Sequence, residues 1–233
     1  MGRIKVPERY QAILDRSKGH VGFMGLSVGK VNFENPEAMK AYSEFMQNNF
    51  LYGVFVIADF PKKYNIMALD GASEKTAEQR TQIAGDNLRN ALEKTTRDFP
   101  RVKVARWKHF MDSLYGDNLE VLSKAYETEE GFQQACNHLV WEFLSLPANL
   151  ARRNKSASLA DCVAMSKNYV LDELALLVSA PFSFPLPVCE IYPGRNEVHE
   201  QVQERMYTFC KDLHIKSDRV FMEAYYESAD KKD

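Results

Sequence analysis

Cysteine is scarce in this sequence and never clustered. The 233 residues contain four cysteines, each more than twenty positions from the next. Disulfide-rich small domains and zinc sites need cysteines at close, repeated spacings. We therefore expect reduced thiols in a cytoplasmic protein and no metal ion. The four are Cys136, Cys162, Cys189 and Cys210.

Long apolar runs are also missing. The longest mostly apolar stretch covers residues 174–188, and three prolines interrupt it. It cannot form the helix of about 20 apolar residues that crosses a bilayer. The first residues contain no apolar signal core. These absences predict a protein with no membrane partner.

Neither sign of charge dominates, because 30 Lys and Arg stand against 32 Asp and Glu, for a formal net charge of −2. This balance excludes a protein that is basic all over, so any contact with nucleic acid must be local. The sequence also lacks a glycine-rich phosphate loop and a His-Ile-Gly-His type of motif. We therefore expect no cofactor.

What is present is an alternation of short apolar segments with longer helical patterns. The pattern predicts an α/β fold with a mostly parallel sheet flanked by helices. We assign residues 1–226 to one domain and 227–233 to a charged tail. Strands are expected near 21–26, 54–58, 102–107, 182–191 and 219–225. Helices are expected near 7–15, from 36, 76–97, through most of 108–178 with breaks near Gly116, Gly131 and 147–156, and 197–214.

The first long strand ends in Gly25-Leu26-Ser27. Open α/β sheets bind ligands at the carboxyl ends of their strands, so the Ser27 hydroxyl is a candidate nucleophile. A serine between a strand and a helix is more commonly a turn residue or a helix N-cap. Ser27 alone does not decide between the two interpretations.

Tyr169 and Glu173 stand four residues apart in a predicted helix. Four residues turn a helix by about 400°, so the phenol and the carboxylate project from one face. Together they suit a bound α-ammonium group. An ordinary solvated helix face has the same spacing, and the pair becomes informative only beside the serine strand.

Two motifs together resemble those of the cyclodipeptide synthases. The first motif, His-x-aliphatic-aliphatic-Gly-aliphatic-Ser, is similar to residues 20–27 with one extra or substituted residue. The second motif, Tyr-aliphatic-x-x-Glu-x-Pro, is similar to residues 169–175, where Ala175 replaces the proline. Lys30 and Tyr192-Pro193 resemble the Tyr-Pro branch of that family. The resemblance covers nearly the whole chain in length and element order.

This resemblance implies a Rossmann-like fold similar to the catalytic domain of class I tyrosyl- and tryptophanyl-tRNA synthetases. It implies an aminoacyltransferase that joins the aminoacyl groups of two aminoacyl-tRNAs into a cyclic dipeptide. The expected mechanism is ping-pong, through an aminoacyl-enzyme on Ser27 and then a dipeptidyl-enzyme. No cofactor or metal is needed, and we expect a monomer.

The resemblance also implies roles for individual residues. Tyr169 and Glu173 hold the amino group of the first aminoacyl moiety, and Tyr192 relays protons near the serine. Tyr115 resembles a pocket tyrosine of the family and is the fifth catalytic candidate. The aminoacyl side chain is expected to contact Phe23, Gly25, Val54 and Val56.

A local excess of positive charge lies in residues 75–108. This segment has nine basic and four acidic residues, a net charge of +5. Proteins bind a nucleic-acid backbone through summed phosphate contacts, so a tRNA surface near the pocket mouth is expected here. A solvated helix often carries the same charges. The candidates are Arg80, Arg89, Lys94, Arg97 and Arg101, with Arg152, Arg153 and Lys155 as a second patch.

Two other functions stay open. Residues 25–29 match the Gly-x-Ser-x-Gly pattern of serine hydrolases, although that pattern normally follows several strands and precedes an acid and a histidine. A tRNA-binding module without catalytic activity also accounts for the basic segment.

Overall fold

The computed structural model of the chain describes residues 2–194 and 197–228, without the side chains of residues 31 and 32. These ranges contain seven strands and ten α-helices. The strands are β1 (Arg3–Lys5), β2 (Val21–Ser27), β3 (Tyr52–Ala58), β4 (Val102–Arg106), β5 (Val188–Tyr192), β6 (Arg219–Glu223) and β7 (Tyr225–Glu227). The helices are α1 (Glu8–Arg16), α2 (Val31–Glu34), α3 (Pro36–Asn49), α4 (Lys62–Asp70), α5 (Glu74–Thr95), α6 (Ser113–Thr128), α7 (Glu130–Ser145), α8 (Pro147–Arg152), α9 (Leu159–Ser179) and α10 (Glu197–Gln203).

Five strands form a parallel sheet in the order β4-β3-β2-β5-β6. The predicted α/β class with a mostly parallel sheet is confirmed. From β2 the chain adds β3 and β4 on one side, and later β5 and β6 on the other. The strand order therefore reverses between β2 and β5. The carboxyl ends of strands at such a reversal form a crevice that binds ligands in open α/β sheets.

The two central strands separate as they approach this crevice. The ladder between β2 and β5 covers only three residue pairs, from Val21↔Val188 to Phe23↔Glu190. The ladder between β2 and β3 continues to Ser27↔Ala58. The last residues of β2 thus have a paired neighbour on one side and an opening on the other.

Helix α9 forms the main cover of one face of the sheet. Ser158 caps its start in a reciprocal pair with Asp161, and residues 170–180 are buried except for Glu173. Its apolar side chains pack in one core with Phe23 and Val56 of the sheet and with α4, α6 and α7. A helix that is apolar on most sides must be enclosed by neighbours, and α9 is.

Several element boundaries differ from those expected. The segment before Gly71, expected to be a loop, contains α4, which ends at Gly71 in a left-handed conformation with φ of 63°. Gly116, expected to be a helix break, lies inside α6. The break expected near Gly131 is confirmed to within two residues, because α6 ends at Thr128 and α7 begins at Glu130. Tertiary packing of α6 on α9 outweighs the low helix propensity of Gly116.

The chain ends also differ from the expectation. The expected strand at 182–191 is shortened to β5, because prolines precede it and cannot donate to a ladder. The expected helix at 197–214 ends at Gln203. The antiparallel pair β1 and β7 was missed, since each strand has three residues and no buried apolar pattern. Glu227, assigned to the tail, lies in β7, and residues 229–233 of that tail lie outside the described residues.

A buried ionic cluster joins β5, β6 and α10. Glu190 is fully buried; it accepts a hydrogen bond from Arg219, and its Oε1 lies 3.1 Å from His199 Nε2. Burial acts to raise the pKa of Glu190, but Arg219 and His199 outweigh burial and hold this pKa below its ordinary range. The ring of Tyr192 packs edge-on against His199, with 5.7 Å between centroids. The cluster therefore supports the end of β5 that faces the crevice.

Glu190→Gln should lower the free energy of unfolding by about 3 kcal/mol at neutral pH, because Arg219 then stays buried without its counter-charge. Urea unfolding measures this loss. The folded-state pKa of Glu190 lies below the unfolded value, so its stabilisation is present above about pH 4.5 and is lost as the pH falls. The two proteins should therefore converge in acid. A difference that persists unchanged in acid would assign the loss to packing instead of charge.

Candidate active site

Ser27 ends β2 and lines a cavity of about 490 Å³ at the crevice between β2 and β5. Helices α4, α7, α8 and α9 form the other walls. The apolar part of the lining is Ile66, Leu69, Leu139, Val140, Phe143, Leu146 and Val170. A concave, mostly apolar space with a few convergent polar groups is the usual form of a small-ligand site.

A tight turn follows Ser27. Its carbonyl oxygen accepts a hydrogen bond from the Lys30 N–H at 3.4 Å, and Gly29 has φ of 81°. This is the third position of a type II turn, which favours glycine. The N-caps of α2 and α3 are Lys30 and Asn35. Ser27 thus serves the turn with its backbone and caps neither helix with its side chain.

A chain of hydrogen bonds joins Ser27 to α9. Ser27 Oγ lies 2.8 Å from Tyr169 Oη, and Tyr169 Oη donates to Glu173 Oε1 at 3.4 Å. Both groups of the shorter pair are hydroxyls, so either Ser27 or Tyr169 can be the donor between them. The structure therefore brings together three side chains that the sequence analysis linked, and all three line the cavity.

Burial dominates the electrostatics of these two α9 side chains. Burial, with the charge of Glu173, raises the pKa of Tyr169 well above its ordinary value of 10, so the phenol stays protonated. Burial also raises the pKa of Glu173 above its ordinary value of 4.5, and Lys30 opposes this only in part. A bound ammonium group would supply the missing counter-charge.

Tyr192 is the last residue of β5 and lines the same cavity. It lies across the reversal point from the β2 end that carries Ser27. The four catalytic candidates Ser27, Tyr169, Glu173 and Tyr192 thus share one cavity.

The cavity also has basic lining residues from three elements. Lys30, Lys62 and Arg152 contribute to its wall. Arg152 pairs with Asp70 at 3.1 Å, and Asp70 also pairs with Arg80 at 2.6 Å. The position of Lys62 on the cavity wall was not predicted, because Lys62 adjoins Lys63 and no sequence pattern distinguishes the two lysines. A helix turns by 100° per residue, and Lys63 instead lies buried between Glu74 and Glu78.

Some predicted site residues lie elsewhere. Tyr115 is buried and donates a hydrogen bond to Asp172, away from the cavity. Phe23, Val54 and Val56 are at most 6% exposed and belong to the core under α9. Gly25 does not line the cavity either; a Cβ there would lie 3.8 Å from Leu177. The expected substrate contacts on β2 and β3 are therefore corrected: their side chains face α9, and the cavity begins beyond the strand ends.

The predicted tRNA-binding residues are all exposed but do not share one location. Helix α5 runs antiparallel to the strands over about 33 Å, from the carboxyl edge of the sheet to the opposite edge. Arg80 lies on the cavity side, since it shares Asp70 with Arg152. Arg101 lies at the far edge, where its guanidinium donates to the Gln47 carbonyl. We expected the basic segment 75–108 to lie near the pocket mouth, and this expectation is corrected. Because α5 leads away from the cavity, the second half of the segment lies at the opposite edge of the sheet.

The geometry also bears on the serine-hydrolase alternative. The nucleophile of such enzymes sits on a strained turn and pairs with a histidine. Ser27 has extended strand geometry, and Arg205 is the only non-glycine residue with positive φ in the described ranges. No histidine is among the described residues that line the cavity. This alternative therefore lacks its machinery here.

Two features are absent from the described residues. They contain no group of three or more His, Cys, Asp or Glu side chains arranged to hold a metal ion. Among the helices seen in 2–194 and 197–228, none is both long and apolar enough to cross a membrane.

Comparison with known proteins identifies the same family as the sequence motifs. The cyclodipeptide synthase family model matches residues 6–212. A cyclodipeptide synthase from Fluoribacter dumoffii has a similar fold, with 17% identity, a TM-score of 0.79, and coverage of 97% of this chain and 98% of that one. The synthase from Candidatus Glomeribacter gigasporarum, solved bound to Phe-tRNAPhe, has 16% identity, a TM-score of 0.72, and coverage of 96% and 95%.

The fold is also similar to that of a synthetase. Tyrosyl-tRNA synthetase from Archaeoglobus fulgidus, solved with L-tyrosine, has 9% identity, a TM-score of 0.55, and coverage of 93% of this chain and 58% of that one. The expected likeness to a class I synthetase domain is confirmed. No significant match is found among curated protein sequences. Membership of the Tyr-Pro branch stays a prediction.

Glu173→Gln should raise the melting temperature in mildly alkaline buffer. The folded-state pKa of Glu173 lies above the unfolded value, so the fold disfavours the ionised form at high pH, and this cost vanishes as the pH falls below about 4.5. Thermal unfolding followed by circular dichroism should show a gain near pH 8 and none near pH 4. Glu120→Gln, exposed on α6, is the matched control. A lower melting temperature at pH 8 would mean that Glu173 stabilises the fold and is not held there for a ligand.

Proposed function

This chain belongs to the cyclodipeptide synthase family, and we propose that it makes a cyclic dipeptide from two aminoacyl-tRNAs with Ser27 as the nucleophile. Membership makes it an aminoacyl-transferring enzyme. The observation that carries the proposal is the hydrogen-bond chain from Ser27 through Tyr169 to Glu173, inside a cavity at the strand-order reversal. The relative solved with Phe-tRNAPhe supports aminoacyl-tRNA as the substrate class.

The first step transfers an aminoacyl group to the serine. Ser27 Oγ attacks the ester carbonyl carbon, the bond to the ribose oxygen breaks, and the departing ribose hydroxyl takes up the proton that leaves the serine. One ester replaces another, so the step needs no nucleotide to drive it. Glu173 and the phenol of Tyr169 hold the α-ammonium group, which places the carbonyl carbon beside Oγ.

The next two steps convert esters to amides. The amine of the aminoacyl-enzyme attacks the ester of a second aminoacyl-tRNA, releasing a second ribose hydroxyl and leaving a dipeptidyl-enzyme. The new terminal amine then attacks the Ser27 ester carbonyl. Ring closure releases the cyclic dipeptide, and the proton of that amine restores the serine hydroxyl.

Each amine must lose a proton before it attacks. Glu173 suits the acceptor role for the first amine, because burial raises the pKa of its carboxylate towards that of a working base. Tyr192, at the end of β5, is the candidate for relaying protons at the Ser27 ester. Such acid–base assistance contributes about 10² to 10⁴ in rate.

Helix α5 offers a surface for the tRNA body. Arg89 and Lys94 are exposed along it, and Arg97 follows at its end. A tRNA whose aminoacylated end enters the cavity has to continue outwards along the protein. We assign the α5 residues to contacts with that body, at a distance from the reacting ester.

Expression in a bacterial host should yield a cyclic dipeptide in the medium, detectable by mass spectrometry. Ser27→Ala should abolish this product, because it removes the acyl acceptor. Ser183→Ala, which changes an exposed serine, is the matched control and should leave the product unchanged. Intact-protein mass spectrometry should also find an aminoacyl adduct on the parent only. Product formation by the alanine variant would exclude Ser27 as the nucleophile.

Reversing both Arg89 and Lys94 to Glu should raise the KM for aminoacyl-tRNA about tenfold and leave kcat nearly unchanged, because phosphate contacts away from the ester act on binding. Steady-state kinetics at moderate salt measure the effect. Lys124 and Lys211, exposed on another face, provide the control double reversal. An unchanged KM would remove α5 from the tRNA surface.

A further inference from the structure

Two lysines on the wall of the catalytic cavity have no acidic partner. Lys30 ends the turn that follows Ser27, and Lys62 begins α4. Across the described part of the chain, neither has a carboxylate oxygen within 4.0 Å. Two nearby cations do have acidic partners: Lys63 lies between two glutamates, and Arg152 pairs with Asp70.

Lys62 has the more demanding environment of the two. Its side chain is partly buried, with Nζ 5.9 Å from the centre of the Phe143 ring. Burial, then Arg152 and Lys30, lower the pKa of Lys62, because each disfavours its positive charge. Asp70 and Glu34 oppose this shift only in part. An ammonium group with no carboxylate within 4.0 Å and two cations nearby costs free energy, and a bound anion would offset that cost.

The space beside Lys62 adjoins the nucleophile. Its Nζ lies 3.9 Å from the point where a Cβ on Gly29 would stand. Because Gly29 has no side chain, no Cβ stands between the backbone just after Ser27 and the Lys62 ammonium. An anionic group bound by Lys62 and an ester group reacting at Ser27 could therefore belong to the same ligand, only a few covalent bonds apart.

The charges of the cavity follow the order of charges on one end of an aminoacyl-tRNA. The Glu173 carboxylate connects to the Ser27 hydroxyl through Tyr169, and the Lys62 ammonium lies beside the backbone just after Ser27. The substrate presents an α-ammonium, the ester carbonyl and, on the same terminal adenosine, a phosphodiester. We propose that Lys62, assisted by Lys30 and Arg152, binds this phosphodiester of the aminoacyl-tRNA. The inference rests on the proposed function and adds a second anchor to it.

Two anchors on opposite sides of the ester have a consequence for catalysis. Glu173 holds the amino end and Lys62 the nucleotide end, so the carbonyl between them is positioned over Ser27. A free amino acid lacks the second anchor and is bound less well. Lys62 is thus a binding residue for the activated substrate and takes no part in bond making.

Two small ester substrates, which differ in whether they contain a phosphodiester, test whether Lys62 binds that group. One is a 3′-aminoacyl adenosine, which has no phosphate; the other is the same ester of cytidylyl-adenosine, which has one phosphodiester. Both carry the amino acid found in the product. Acylation of Ser27 is followed by intact-protein mass spectrometry, and the second-order rate constant is measured for each ester.

Lys62→Met keeps the length and packing of the side chain and removes its charge. We expect it to slow acylation by the dinucleotide ester ten- to a hundredfold and to leave the nucleoside ester unaffected. Lys62→Arg should restore most of the rate. The salt dependence of the dinucleotide reaction should become shallower by about 0.7 in its logarithmic slope, as expected for one lost phosphate contact.

A control variant and a stability measurement accompany the Lys62→Met kinetics. Lys40→Met, exposed on α3, should change neither rate, and the melting temperature of Lys62→Met should not fall. Equal losses with both esters, or no loss with either, would overturn the inference. A parent protein that is acylated by both esters at the same rate would overturn it as well, while the proposed function stands. A parent that neither ester acylates overturns the proposed function, and the inference with it.

Discussion

The hydrogen bond between Ser27 and Tyr169 joins residues 142 positions apart, and the site depends on it. It forms only because α9 lies over the sheet in one rotational setting, with Tyr169 and Glu173 turned to the cavity. The buried apolar residues among 170–180 hold that setting, since any other rotation would expose part of the core. Packing of the helix therefore determines the distance between Ser27 and the side chains of Tyr169 and Glu173.

The site combines this packing with charges that the fold leaves uncompensated. Burial raises the pKa of Glu173 and lowers the pKa of Lys62, so each charge is less stable here than in water. The ionic cluster around Glu190 differs from the cavity in this respect. There the Glu190 carboxylate has ionic partners in Arg219 and His199, and the cluster stabilises the fold. Active sites commonly sacrifice stability in this way, because a ligand later supplies the missing partners.

Much of this arrangement could be predicted from local patterns. The apolar strand ending at Ser27 and the four-residue spacing of Tyr169 and Glu173 depend only on strand and helix periodicity. Predictions failed where distant residues decide. Phe23 and Val56 look like pocket residues from their place beside the site, yet α9 covers them. Gly116 looks like a break, yet packing keeps α6 intact.

The amino-acid sequence by itself determined the fold class, the serine at a strand end and the placement of Tyr169 and Glu173 on one helix face, because each follows from a repeat of two or of about 3.6 residues. Only the tertiary structure decided which basic residues reach the cavity. Lys62 and Lys63 are neighbours with identical side chains, and one lines the cavity while the other lies between two glutamates. The physical reason is that neighbouring side chains on a helix point about 100° apart, and the elements packed around α4 decide which of these directions faces the cavity.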